Sequence, residues 1–263
     1  VCSSDLYKQG AEKSVKRELL NIEGGKIKKG NNVIFDDLSL ELFQGEITGI
    51  VFDDILEQKL FIDMLLGDVL LYSGKIFVNE ERKAYEEAAR LLKQQVAVIG
   101  SKSKLLPSIT IEDNIFLFSD RKLFLDQKEY RERFQKLRTE LNISDDMPHK
   151  VRNLSAKEKV IIELLKAYEE RKKIVILDEI TSLLSEKDLG EVFSLIDKMK
   201  SQMSFLVTVG FEDFIMEWME SIAVVQNGRT TFVSGISQLN CKLSKVLKAL
   251  IYEIGRASCR ERV

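Results

Sequence analysis

Much that would assign a function outright is scarce in this 263-residue chain. Three cysteines, at positions 2, 241 and 259, give neither a disulfide framework nor the spacing of a metal site. The only histidine, His149, follows Pro148 and reads as an exposed loop residue. No uninterrupted apolar run reaches the roughly 18 residues needed to cross a bilayer. Any membrane role must then come through a partner. Neither sign of charge dominates, with 40 basic and 42 acidic residues, so there is no electrostatic reason to expect a nucleic acid or an anionic membrane as partner. Internal repeats and low-complexity tracts are absent too. What remains, 44% hydrophobic and 31% charged residues, is the balance of an ordinary globular protein with one large or two small domains.

Both ends look foreign to that balance. Residues 1–6 (VCSSDL) and 254–263 (IGRASCRERV) resemble translated sequencing-library adapters. Setting them aside leaves 7–253 as the expected native stretch, with Cys241 as its single cysteine, in keeping with a reducing cytoplasm. The same resemblance implies that the natural protein can continue beyond either end.

Organisation centres on Ile174-Val175-Ile176-Leu177-Asp178-Glu179, a run apolar at every position and then doubly acidic. A strand without a polar face belongs inside a parallel sheet covered on both sides, and ligands of such sheets bind beyond the strands' carboxyl ends. Before it, residues 19–42 alternate as strands with turns expected at Gly24-Gly25 and Gly30-Asn31-Asn32. Ile47–Val51 is a buried strand, 56–66 a helix closed by Gly67, 73–78 a strand, 81–94 a charged helix and 96–99 another buried strand. Residues 109–171 are nearly all helical. After the acids come a helix at 186–200, a strand at 205–208, an amphipathic helix around 211–220, and two strands joined by Asn227-Gly228. The pattern predicts an α/β fold: a mainly parallel core sheet, an N-terminal antiparallel β flap, and a helical subdomain at about 102–171.

Over residues 18–236 these stretches together resemble the ATP-binding cassette of ABC transporters, a P-loop NTPase-like fold. The likeness is greatest to the first cassette of tandem monosaccharide-importer ATPases. It rests on Asp37–Leu42 with Gly45-Glu46-Ile47, Leu106–Leu117, Asn153-Leu154-Ser155, Ile174–Leu184 and Asn227-Gly228-Arg229, in that order and spacing. The resemblance implies ATP and Mg2+ as ligands. Asp178 would hold the metal and Glu179 would orient or deprotonate the attacking water. It implies as partners a second cassette (homodimer, heterodimer, or a lost second half of the same chain) and membrane permease subunits, with the chain cytoplasmic and peripheral on the inner membrane face.

Position by position, much of the family's nucleotide machinery is replaced. The phosphate loop's three glycines fall on Phe52, Ile55 and Glu57, its lysine on Gln58, and its Ser/Thr pair on Lys59 and Leu60. Amide donors, a point charge and a metal-binding hydroxyl are what that loop supplies. Asp53, Asp54 and Glu57 instead bring carboxylates to where phosphates would lie. At about 4 Å one such repulsion amounts to roughly 4 kcal/mol at an effective dielectric of 20. Leu154-Ser155 opens the signature, but its glycines fall on Ala156 and Lys157 and its glutamine on Glu158; the magnesium-sensing glutamine falls on Ser101 and the switch histidine on Val209. The expectation is a degenerate cassette that couples or braces a competent one. Two alternatives stand beside it: an active transport ATPase with an unusual loop, and a regulatory protein keeping only the fold. For Asp178-Glu179 the structural alternative is that the acids accept amide hydrogen bonds from the following helix.

Overall fold

The computed structural model describes residues 16–116, 127–143, 150–210, 215 and 218–234. Strands β1 (Glu18–Lys29), β2 (Asn32–Phe43), β4 (Ser73–Val78) and β5 (Glu81–Arg82) pair antiparallel. Strands β3 (Ile47–Phe52), β6 (Val96–Ile99), β7 (Ile174–Leu177) and β8 (Ser204–Thr208) run parallel, joined by β9 (Ser221–Gln226), which is parallel to β3 and antiparallel to β10 (Arg229–Ser234). One ten-stranded sheet results, in the order β5-β4-β1-β2-β10-β9-β3-β8-β7-β6.

Strand β7 shows why its sequence has no polar position. Ile174 and Ile176 join the core beneath α1 (Ile55–Leu65) and α2 (Tyr85–Gln95). Val175 and Leu177 point the other way, into the core shared with α3 (Ile111–Phe116), α4 (Gln127–Leu141), α5 (Ala156–Glu169) and α6 (Glu186–Met199). Side chains alternate along a strand, so helices on both faces require an apolar residue at every step. Each such burial contributes about 1.5–3 kcal/mol. The strand is therefore a fixed post from which the residues after it project.

The turn expected at Gly24-Gly25 is instead an irregularity within the continuous strand β1, whose register shifts there against both neighbours. Paired glycines read locally as a turn, yet pairing on both sides carries the strand through. A Cβ on Gly74 would lie 2.6 Å from the Gly24 carbonyl oxygen, so the glycines serve the close approach of β4 to β1. The segments 33–35 and 38–42 likewise form one strand, β2. The charged helix starts at Tyr85 rather than residue 81, because Glu81–Arg82 pairs with β4. His149, Cys241 and most of the helix expected at 211–220 lie outside the described residues.

Candidate functional site

Strand β3 ends at Phe52 and α1 begins three residues later, so the amides of the helix's first turn stand beyond the carboxyl edge of the sheet. Helix starts leave such amides without intrahelical partners. Asp54 takes them up. Its Oδ1 accepts from Leu56 N at 2.5 Å and Glu57 N at 3.3 Å, and its carbonyl accepts from Gln58 N at 3.1 Å. Phe52 and Ile55 do not adopt left-handed dihedrals, and Asp54 is extended (φ −128°, ψ 129°), so the segment runs straight into the helix. Asp53 and Ile55 lie exposed beside it, and partial desolvation of the Asp53 carboxyl, with the neighbouring Asp54 charge, raises it above its ordinary range.

Two strands away across β8, the acids after β7 face this turn. Gln58 Nε2 donates to Asp178 Oδ1 at 2.8 Å and to Glu179 Oε1 at 3.3 Å. Thr208, at the end of β8, completes the cluster: its hydroxyl donates to Asp178 Oδ1 at 3.2 Å and accepts from Glu179 N at 2.8 Å. Glu179 has φ 53° and begins a short 3₁₀ turn at Ile180–Ser182, to which its side chain gives no cap. The amide-capping role weighed for these acids is thus not what holds them. A left-handed backbone at Glu179 turns its side chain toward Gln58 instead. Gly100 packs against this point, since a Cβ there would lie 3.0 Å from the Asp178 carbonyl oxygen. Ser101, next in the chain, is exposed.

At α5 a second helix start closes on itself. Ser155 Oγ accepts from Glu158 N at 3.3 Å while Glu158 Oε2 accepts from Ser155 N at 2.7 Å, a complete capping box. Preceding it, Leu154 is buried. Among the described residues no hydrogen bond links Leu154 or Ser155 to Asp178 or Glu179. Clefts of about 460 Å³ among α4, α5 and α6, about 440 Å³ beside β4 and the start of α2, and about 330 Å³ between β6 and α5 lie elsewhere. None of these is lined by Asp178 or Glu179, and the hydrogen-bond chemistry outweighs cavity size in locating the site.

The sequence model described as "ABC transporter" matches residues 35–182, more than half of the chain. The chain belongs to the ABC transporter family. Among curated proteins it is 22% identical over 219 residues to the galactose/methyl galactoside import ATP-binding protein MglA of Clostridium perfringens (strain SM101 / Type A), covering 82% of this chain and 42% of that one. It is 26% identical over 196 residues to the arabinose import ATP-binding protein AraG of Rhizobium meliloti (strain 1021), covering 73% and 39%. The chain thus spans less than half the length of these relatives. Among solved structures, cbiO1 from Clostridium perfringens, part of the ABC transporter complex cbiONQ, superposes with a TM-score of 0.74 at 15% identity, covering 94% of this chain and all of that one. The ADP conformation of MJ1267, an ATP-binding cassette, gives 0.73 at 18% identity, covering 89% and 98%. Both share the fold.

Placed on the family's frame, the motif positions divide. Gln58, Asp178 and Glu179 meet in one cluster. Leu60 is buried in the core under α1, and Val209 is buried after β8 with its amide donating to Ile50 O at 3.0 Å. Lys59 is exposed. Sequence reasoning did not single out Thr208 as a member. Its place comes from strand pairing: β7 and β8 run parallel in the register Leu177 to Val207, which sets Asp178 beside Thr208, and the sequence alone does not give that register.

Proposed function

We propose that this chain is a degenerate cassette of a sugar-importer-like ABC transporter, acting as a coupling or structural partner of a competent cassette rather than hydrolysing ATP itself. The observation that carries the reading is the Gln58 bridge. At the position of the family's phosphate-binding lysine stands a neutral amide, donating to both acids that would otherwise hold magnesium and water.

The residues present do not fit a magnesium nucleotide. Amides at 56, 57 and 58 already bind Asp54. Asp178 Oδ1 accepts from two protein donors, and the metal-binding hydroxyl is replaced by Lys59. Across the other face of a cassette pair, the α5 start is closed by Glu158, so a phosphate from a partner's site finds a carboxylate in place of free amides. No hydrolytic step is therefore assigned to Glu179. Sugar import is supported by the names of the relatives, and membrane attachment through a permease follows from the same likeness. Among the described residues no helix is long and apolar enough to cross a membrane.

Coexpression with a candidate permease and competent cassette tests this. Assembly should survive, and the ATPase rate of the complex should stay within about twofold, when this chain carries Glu179→Gln. A drop of 10²-fold or more, the usual scale for losing a general base, would favour an active ATPase with an unusual loop. Failure to copurify with any ATPase or permease would favour a regulatory protein retaining the fold.

A further inference from the structure

Glu57 takes no part in the acid cluster, and its placement is unusual for a residue in a first helical turn. It stands three residues after Asp54, the spacing at which an acid normally folds back onto the cap amide. Helix α5 has both halves of that arrangement, whereas α1 has only the Asp54 half. Glu57 instead reaches the turn between β9 and β10, where its Oε1 accepts from Gly228 N at 2.7 Å. The residue is buried, and its Oε2 has no hydrogen-bond partner.

Gly228 cannot yield. Its φ is +70°, a Cβ on it would sit 2.2 Å from the Ile34 carbonyl oxygen, and its own carbonyl accepts from Asp36 N at 2.9 Å and Asp37 N at 3.2 Å. Glu57 and Gln58 thus tie the first turn of α1 in opposite directions. One holds the β9–β10 turn and the other the end of β7, with β3 between them in the sheet.

Charge at this point is one-sided. Burial above all, then the Asp53 and Asp54 charges, push the Glu57 carboxyl up to about 7, against the Gly228 hydrogen bond that lowers it. From β2, Asp36 and Asp37 stand at the same turn. The nearby cations Lys26 and Arg229 are both paired with Asp36, and Lys59 on α1 is exposed. An ionised Glu57 would have one buried oxygen facing no donor and acids on two flanking elements.

We propose that Glu57 is a proton-operated latch between the first turn of α1 and the β9–β10 turn, closed while its carboxyl carries a proton and loosened when that proton is lost. The proton resides on Oε2, leaving Oε1 to accept from Gly228, and it exchanges with bulk water. Opening frees the α1 turn on one side, so the hold of Gln58 on the β7 acids loosens with it. The sequence expectation brings the Glu57 carboxylate to where phosphates would lie; its Oε1 instead accepts from Gly228 N, buried between α1 and the β9–β10 turn, so the latch does not depend on the contacts of Asp178 and Glu179.

Amide hydrogen exchange of the native chain between pH 5.5 and 8.5, corrected for intrinsic exchange chemistry, tests it. Protection of Gly228 and of residues 56–58 should fall at least tenfold from pH 5.5 to about 7 and level off above it, because the linkage slope ends at the closed-state pKa. Glu57→Gln should flatten that profile, and Asp53→Asn should make the fall level off at lower pH. A native profile without a transition, or the same transition persisting in Glu57→Gln, overturns the latch. Should Glu57→Gln fail to fold, carboxyl 13C titration of the native chain decides: a Glu57 midpoint at the ordinary 4.5, or one near 7 with Gly228 protection unchanged, overturns it equally.

Discussion

The ends of β7 and β3 lie on the same edge of one sheet, yet the chain treats them differently. On the proposed reading, the family's strand and both acids persist at β7, while at β3 the loop's glycines, lysine and hydroxyl are replaced. The structure couples the two regions, because Gln58 from the altered segment holds Asp178 and Glu179 of the retained one. Four buried side chains on two faces explain β7 without any reference to catalysis, and a hydrogen-bonded role explains the acids. Persistence of a motif and persistence of its chemistry are therefore separable, and the loop decides which applies.

The comparison can be broken most forcefully at the strand. Ile176→Ala, a fully buried site, should destabilise by about 3 kcal/mol through lost burial and the cavity left behind, read by chemical denaturation. Glu179→Gln at the strand's end should stay within about 0.5 kcal/mol, since an amide oxygen still accepts from Gln58. If the acid mattered more than the strand for folding, the order would reverse.

Comparable and smaller effects probe the segment after β3. Glu57 has a folded pKa raised from 4.5 to about 7, so the folded state binds its proton more tightly than the unfolded state. Its contribution is fully present below 4.5, is lost as pH rises toward 7, and is flat above. The loss is on the order of 3 kcal/mol, and Glu57→Gln should remove that slope in melts recorded from pH 4 to 8.5. Asp54→Ala removes the α1 cap and should lower stability by about 1 kcal/mol. Gln58→Lys should raise stability by about 0.5–1 kcal/mol, because a charge-assisted bond to two carboxylates replaces a neutral one. A Gln58→Lys variant less stable than the native chain would mean that the amide bridge is not what orders this turn.

Much of the scaffold was legible in sequence because its signals are local. The all-apolar run marked β7, Gly67 closed α1, and Asn227-Gly228 formed the β9–β10 turn with both residues at positive φ. Gly24-Gly25 misled for the same reason: a bulge and a turn use the same residues, and only the partners on either side distinguish them. Motif spacing located the positions of Gln58 and Asp178, but not their bond, which joins residues 120 apart in the chain. The Glu57 contact spans 171 residues and breaks a local expectation, since a residue spaced for a capping box left its cap for a distant amide. Such contacts depend on how elements stack, which no window of sequence contains.

Equilibrium binding of a fluorescent ATP analogue to the native chain, with and without magnesium, tests the central claim most directly. A nucleotide site whose amides, charge and acids are occupied by Asp54 and Gln58 should show no saturable binding up to about 1 mM, weaker than roughly 4 kcal/mol. The same titration on a chain carrying Phe52→Gly, Ile55→Gly, Glu57→Gly, Gln58→Lys and Lys59→Ser should gain affinity. Saturable micromolar binding by the native chain would contradict the account.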